Sequence, residues 1–270
     1  METGTRTVAS ADGTHIAYRR EGSGPAVVLV GGGLDDGSEN AVLMPALAGE
    51  FTVYNYARRG RGGSGDTRPY AVQRELEDLA AVLDAAGGRA HVFGASSGGA
   101  LALEAAAAGL PIARLVVYDV PYSVAEDAVE RWRAYRAELD EALAQGRIGE
   151  ALKAFMRLGG ASDDDLAGAQ AAPFWDGLLA LAPTLAYDAA LLGDDGPPSS
   201  RLASIRQETL VLTRSTSDPF MSALPVEFFA AAADAVAAAL PHVSTCTIEA
   251  PGHAVDAAAV APPVRAFFAG

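Results

Sequence analysis

The chain has 270 residues, half of them hydrophobic, and a formal net charge of -14. This acidic balance argues against the basic patches that nucleic-acid binding requires, so we expect no nucleic-acid partner. The single cysteine, Cys246, excludes an intrachain disulfide. No apolar run approaches the roughly 18 residues of a membrane span, and the polar first residues lack the apolar segment of a signal peptide. We therefore expect a cytoplasmic protein with no membrane partner.

The first elements alternate in a way that predicts strands followed by a helix. Residues 5–10 and 14–19 alternate between polar and apolar side chains around a short turn, which predicts a β-hairpin. The continuous apolar run 26–30 predicts a strand buried on both faces, as in a parallel sheet. Residues 51–56 predict a further strand, and apolar residues at helical spacing predict a helix over 70–86.

The alternation of strand and helix continues from residue 89 to residue 118 and predicts βαβ units. These units indicate an α/β fold, with a mostly parallel central sheet and helices on both faces. Between 122 and 200 the sequence is helical and offers no strand, and strands return after residue 201. We predict an α/β core formed by 1–121 and 201–270, with a helical lid, 122–200, inserted between strands six and seven.

The strongest chemical signal is the segment Gly94-Ala95-Ser96-Ser97-Gly98, a G-x-S-x-G motif between a predicted strand and a predicted helix. Such a turn exposes the Ser96 hydroxyl above the sheet, and the helix N-terminus directs free backbone N–H groups at a developing oxyanion. A serine hydroxyl needs a base to take its proton. Of the four histidines, His253 follows the last predicted strand in a loop, where it can return to Ser96. We predict Ser96 as nucleophile and His253 as base.

Two aspartates are candidates for the carboxylate that orients the histidine. The expected chain order is serine, acid, histidine. Asp218 follows the predicted strand that ends near residue 213, and Asp119 follows the strand that ends at residue 118. Both lie at carboxyl ends of strands, where open α/β sheets place their sites. Asp218 is slightly preferred, and Asp119 is the alternative.

Together with the arginine- and glycine-rich segment 56–65, the order of these features resembles the α/β-hydrolase superfamily over essentially the whole chain. The resemblance implies a serine hydrolase, similar to bacterial esterases and thioesterases, that acts on an ester, lactone or thioester through an acyl-enzyme on Ser96. It implies no cofactor. It also implies an oxyanion hole formed by the backbone N–H groups of Ser97 and of Gly33 or Leu34.

The chain departs from the pattern of that superfamily at three places. Gly31-Gly32 stands where many relatives have His-Gly, and Ala57 replaces the usual aspartate of the arginine–glycine motif. Asp218 lies one residue later than the common spacing of the acid. These departures motivate an alternative from another class, a non-hydrolytic protein of the same fold, such as a cyclase, a lyase or a small-molecule-binding module of secondary metabolism.

Two other kinds of site are not supported. The segment 60–65 matches G-x-G-x-x-G, but a dinucleotide site needs a helix to begin within the motif, and here the loop continues. No cluster of side chains has the spacing of metal ligands, so we predict no metal. In the lid, some members of an apolar set are expected to line the pocket for a small-molecule substrate with an apolar acyl or alcohol part, and the others to form the core of the lid. The set consists of Trp132, Tyr135, Phe155, Met156, Phe174, Trp175 and Tyr187.

Overall fold

A computed structural model describes residues 4–194 and 196–270 of the chain. These residues form one eight-stranded sheet. In chain order its strands are β1 (Arg6–Ala9), β2 (His15–Gly22), β3 (Ala26–Val30), β4 (Thr52–Tyr56), β5 (Ala90–Ala95), β6 (Ile112–Tyr118), β7 (Thr209–Arg214) and β8 (Val243–Ile248). Across the sheet the order is β1-β2-β4-β3-β5-β6-β7-β8. Only the pairings of β2 with β1 and with β4 are antiparallel, so the predicted mostly parallel sheet is confirmed.

The helices lie on both faces of this sheet. In chain order they are α1 (Leu43–Leu47), α2 (Val72–Ala85), α3 (Ser97–Ala107), α4 (Glu126–Ala144), α5 (Ile148–Gly159), α6 (Asp163–Ala171), α7 (Trp175–Leu181), α8 (Leu185–Leu192), α9 (Ser199–Leu202), α10 (Val226–Ala239) and α11 (Ala257–Ala269). Helices α2, α3 and α10 share one buried cluster with the sheet, and α1 and α11 share the other. The α/β fold with helices on both faces is therefore confirmed.

Strand β3 shows why a continuous apolar run predicted a central strand. Successive side chains of a strand point to opposite faces. Val28 and Val30 belong to the cluster beneath α2 and α3, while Val27 and Leu29 belong to the cluster beneath α1 and α11. Because each face is covered by helices, every position along the strand must be apolar. Helix α1, with only five residues, was not predicted.

The chain between β6 and β7, residues 122–200, is called the helical insert below. Its described residues form helices α4 to α8 and the first part of α9. The insert has a buried cluster of its own, which includes Tyr135, Leu152 and Leu185. Helix α8 packs against α3 and α2 of the core. None of the helices in the described residues is both long and apolar enough to span a bilayer.

Candidate active site

Ser96 lies on the sharp turn between β5 and α3, with φ 54° and ψ -130°. The turn is possible because the residues two before and two after the serine have no side chain. A Cβ at Gly98 would clash with the carbonyl oxygens of Val30 and Gly31, and a Cβ at Gly94 would lie 2.5 Å from the Gly98 carbonyl oxygen. The backbone geometry is therefore that of the predicted nucleophile elbow.

Strained backbone is concentrated around this turn. Among the described residues, three that are not glycine have positive φ: Leu34 at 58°, Ser96 at 54° and Asp119 at 46°. Leu34 follows β3, Ser96 follows β5 and Asp119 follows β6, so all three lie at the carboxyl edge of neighbouring strands. Such conformations cost on the order of 1–3 kcal/mol each and cluster at functional sites. The positive-φ non-glycine residues of the described chain thus gather at this edge of the sheet, as expected for a functional site.

Asp119 meets the imidazole of His253. Its Oδ2 lies 3.3 Å from Nδ1 of His253, and its Oδ1 accepts a hydrogen bond from the backbone N–H of Arg214 at 3.3 Å. The Asp119 side chain is completely buried. With Nδ1 of His253 engaged by a carboxylate, Nε2 is the ring nitrogen left for proton exchange. Among the hydrogen bonds of residues 4–194 and 196–270, none joins Ser96 to His253, although both residues line the same cavity.

A buried cation accompanies the same aspartate. The Nε of Arg214 lies 3.3 Å from Oδ2 of Asp119, and neither side chain is exposed. The guanidinium also stands 4.5 Å from the ring centroid of Phe229, whose ring lies 4.9 Å from that of His253. Within the described part of the chain, Nη1 and Nη2 of Arg214 have no hydrogen-bond acceptor. The charge of Arg214 is thus directed at Asp119 and at an aromatic face.

Asp218 contacts the backbone of His253 instead of its ring. Its Oδ2 accepts a hydrogen bond from the His253 N–H at 2.8 Å, and its Oδ1 accepts one from the Phe220 N–H at 2.8 Å. Asp218 therefore joins the loop after β7 to the loop that carries the histidine. Gly252 allows this approach, since a Cβ there would lie 2.8 Å from the Asp218 carboxylate.

The three residues expected to donate to an oxyanion surround Ser96. Ser97 is the first residue of α3, where a backbone N–H has no intrahelical acceptor. Gly33 lines the cavity beside Ser96. Leu34 follows it in the left-handed region, and its side chain packs against the core of the helical insert. The preceding Gly32 touches the serine, because a Cβ on Gly32 would be 2.9 Å from Cβ of Ser96.

Sequence reasoning missed a buried ion-pair network next to these donors. Arg58 and Arg61, in the arginine- and glycine-rich loop after β4, both bind Asp188 of helix α8, and Arg58 also binds both carboxylate oxygens of Glu75. Burial alone would raise the pKa of Asp188, but Arg61 and Arg58 outweigh burial and hold that pKa below its usual value. Asp188 is thus an anion between two cations. Its signal in the sequence is an isolated acid in an otherwise apolar helix.

A second pair of acids borders the site. Asp35 accepts hydrogen bonds from the backbone N–H groups of Gly37 and Glu39, and burial raises the pKa of its carboxyl group. Glu39 lines the cavity, and burial together with the charge of Asp35 raises its pKa, against the opposing charge of His253. Neither acid was singled out in the sequence, because the loop 31–40 has no helical or strand periodicity.

Ser96 and His253 line a cavity of about 780 Å³ between the core and the helical insert. Five members of the predicted apolar set line it: Trp132, Tyr135, Phe155, Met156 and Phe174. Trp175 is instead buried in the core of the insert, and Tyr187 stacks on Tyr70 at 3.8 Å between ring centroids. Among the lining residues described, Arg131 is the one lysine or arginine, and it pairs with Asp127.

The segment 60–65, which matches G-x-G-x-x-G, does not begin a helix. The segment 60–65 is a series of turns, and the next helix, α2, begins at Val72. In the described residues, no group of three or more His, Cys, Asp or Glu side chains is arranged to hold a metal ion.

Residues 26–262 match the family described as the alpha/beta hydrolase family. The chain is similar to an alpha/beta hydrolase from Sphaerobacter thermophilus, with 46% identity, a TM-score of 0.84 and coverage of 97% of this chain and 100% of that one. An esterase from Rhodococcus sp. shares the fold, at 23% identity and a TM-score of 0.69 over 98% of each chain. The hydrolase YraK of Bacillus subtilis, described as uncharacterized, is 34% identical over 96 residues, which are 34% of this chain and 35% of YraK. The chain belongs to the alpha/beta hydrolase family.

Proposed function

We propose that this hydrolase cleaves an uncharged ester, lactone or thioester through an acyl-enzyme on Ser96. The single observation that supports the proposal best is the joint placement of Ser96 on a strained elbow and His253 against a buried carboxylate, both on one cavity. A nucleophile, a base and an orienting acid are the parts that acyl transfer requires.

In the proposed reaction, Oγ of Ser96 attacks the carbonyl carbon while Nε2 of His253 takes the hydroxyl proton. The negative charge on the carbonyl oxygen is bound by the backbone N–H groups of Gly33 and Ser97, with Leu34 as the alternative to Gly33. The C–O or C–S bond then breaks, and His253 returns the proton to the leaving alcohol or thiol. A water molecule, deprotonated by His253, then attacks the acyl-enzyme. The bond from the acyl carbon to Oγ of Ser96 breaks, His253 returns the proton to Oγ, and the acid is released.

We assign the orienting acid to Asp119. Its carboxylate faces Nδ1 of His253, as an acid that selects the tautomer and stabilises the imidazolium must do. Asp218, which the sequence slightly preferred, is assigned a different role. By binding the His253 backbone N–H, it fixes the loop on which the imidazole is carried.

The proposed substrate has an apolar acyl or alcohol part. Aromatic side chains of the insert line the cavity. The lining residues described include four acids, and their one arginine, Arg131, is already paired with Asp127, so the lining does not favour an anionic substrate. Phe220 and Phe174 are 87% and 58% exposed, although both contribute to the lining. We therefore propose that the insert acts as a lid and that these two rings cover the distal end of the substrate.

The test is intact-mass analysis after treatment with a fluorophosphonate. The wild type is expected to gain one adduct, and Ser96→Ala is expected to gain none. Ser204→Ala is the matched control, because it removes an exposed hydroxyl outside the cavity and must leave the adduct in place. A panel of short and long esters and thioesters then identifies the leaving group. A folded wild type that takes no label at high probe concentration would refute the acyl-enzyme and favour the non-hydrolytic alternative.

A further inference from the structure

Arg61 binds the backbone of the loop that carries the expected oxyanion donors. It is 1% exposed, and its Nη1 donates to the carbonyl oxygen of Gly32. Its Nη2 donates to both oxygens of Asp188, at 2.9 and 2.8 Å. The guanidinium therefore joins helix α8 of the insert to the loop after β3. Arg58, Arg61 and Asp188 are called the arginine–aspartate clamp below.

The contact with Gly32 has a direct geometric consequence for Gly33. The carbonyl group of Gly32 and the N–H group of Gly33 belong to one peptide unit, which is planar and rigid. Because the two groups point in opposite directions in that plane, fixing the oxygen of Gly32 fixes the direction of the Gly33 N–H. A cationic donor on the carbonyl also polarises the peptide and strengthens its N–H as a donor.

The second expected donor, Ser97, is held by the same clamp. Its Oγ donates to Oδ1 of Asp188 at 2.7 Å and accepts from Nη1 of Arg58 at 3.2 Å. The same nitrogen of Arg58 lies 3.4 Å from the carbonyl oxygen of Gly31. The clamp thus contacts the residues on both sides of the space where a carbonyl oxygen would be bound.

Stability alone does not explain so many buried charges. Taking ions out of water costs several kcal/mol per ion, and a buried pair often does no better than apolar residues of the same volume. A helix such as α8 would pack against the core more simply with an apolar residue at position 188. Gly31 and Gly32 have no side chains that could hold their loop in place. The arginines of the clamp instead bind the carbonyl oxygens of these two residues.

We propose that Arg61, held in place by Asp188, is a positioning residue for the oxyanion hole. It acts through the Gly32–Gly33 peptide and touches no substrate atom itself. The inference rests on the proposed acyl-transfer function, because it assigns these groups a role at the reacting carbonyl. It makes the helical insert a part of the catalytic machinery as well as a cover for the cavity.

The test compares Arg61→Gln with Arg59→Gln. Arg59 lies in the same loop, is equally buried and pairs with Asp78 and Asp12, so its loss removes a similar ion pair without touching the oxyanion loop. Removing one oxyanion donor costs about 100- to 1,000-fold in kcat, and misdirecting one should cost about 10- to 100-fold. For R61Q we expect kcat to fall about 10- to 100-fold while KM stays within about twofold of the wild-type value. For R59Q we expect kcat to stay within about threefold of the wild-type value.

A second measurement separates positioning from general damage to the fold. A boronic acid that forms a tetrahedral adduct on Ser96 should lose as much affinity in R61Q as kcat loses, while R59Q keeps its affinity. Should R61Q fail to fold, Asp188→Asn with Asp78→Asn as its control carries the same comparison. Equal kcat and equal boronate affinity in the R61Q and R59Q variants would overturn the inference. The acyl-enzyme itself would still stand if the wild type is labelled at Ser96, so the two failures are distinguishable.

Discussion

Exchange of Asp119 for asparagine tests the assignment of the orienting acid. A carboxylate 3.3 Å from an imidazolium interacts with it by about 5 kcal/mol at an effective dielectric constant of 20. Arg214 stands equally close to the same oxygen and offsets part of this stabilisation. We therefore expect kcat to fall about 1,000-fold in D119N, somewhat less than the ~10,000-fold known for the exchange of a triad aspartate elsewhere.

Asp218→Asn is the matched comparison. An asparagine oxygen can still accept the His253 N–H, so the loop should stay close to its position and kcat should fall by no more than about tenfold. The assay is steady-state hydrolysis of an activated ester by both variants at the pH optimum of the wild type. A loss in D218N that equals or exceeds the loss in D119N would refute the assignment of Asp119.

The same experiment needs a safeguard for folding. Without the Asp119 charge, the guanidinium of Arg214 would stay buried with no counter-ion, and an uncompensated buried charge costs about 3–5 kcal/mol. The double variant D119N/R214M removes both charges. We expect its melting temperature to recover towards that of the wild type while kcat stays low. Recovery of kcat together with stability would show that D119N had lost activity through its fold.

Two further predictions concern the cavity and the buried charges. Phe220→Ala should raise KM for long-chain esters about fivefold and leave KM for short esters unchanged, because the exposed ring can cover only a long acyl chain. The control is Val243→Ala, which changes an exposed residue of β8 outside the cavity. Equal effects of Phe220→Ala on both ester lengths would contradict the prediction. The carboxyl groups of Asp188 and Glu75 have lowered pKa values, because burial is outweighed by Arg61 and Arg58 at Asp188 and by Arg58 and Arg61 at Glu75. Their contribution to stability is present above the unfolded pKa of about 4 and is lost as the pH falls through the lower folded pKa. Chemical unfolding from pH 5 to pH 2 should therefore show a smaller loss of stability in D188N than in the wild type, and parallel curves would count against the ion pairs.

The parts of the fold that the sequence predicted correctly depend on local pattern. Val27 to Val30 must all be apolar because helices cover both faces of β3, and that requirement is visible in the residue types alone. The turn at Ser96 is visible for a similar reason, since glycines at positions 94 and 98 are required by backbone contacts within the turn itself.

The choice between Asp119 and Asp218 could not be made from the sequence. Strands β6 and β7 are neighbours, so both acids follow strands that end at the same edge of the sheet. Which of them meets the imidazole depends on the path of the loop after β8. That path is set by contacts between distant segments, among them the bond from the His253 N–H to Asp218.

Asp188 illustrates a signal that was present but incomplete. An acid alone among the apolar residues of α8 predicts a buried, paired carboxylate, because an unpaired one would be too costly. The sequence does not say which of the twenty lysine and arginine side chains is its partner. Arg58 and Arg61 are about 130 residues away along the chain, at separations of 130 and 127.

The position of the helical insert between two adjacent strands has a consequence for how this chain can change over evolutionary time. Because β6 and β7 are paired directly, from Leu115 opposite Thr209 to Tyr118 opposite Leu212, the insert leaves and rejoins the sheet at neighbouring points. A different set of helices could be exchanged at that junction with the strands undisturbed, which would alter the range of substrates. Asp188 limits this freedom. An exchanged segment that lacks a carboxylate at this point would leave two buried arginines without their shared partner. A new insert would therefore have to bring such a carboxylate together with its new substrate pocket.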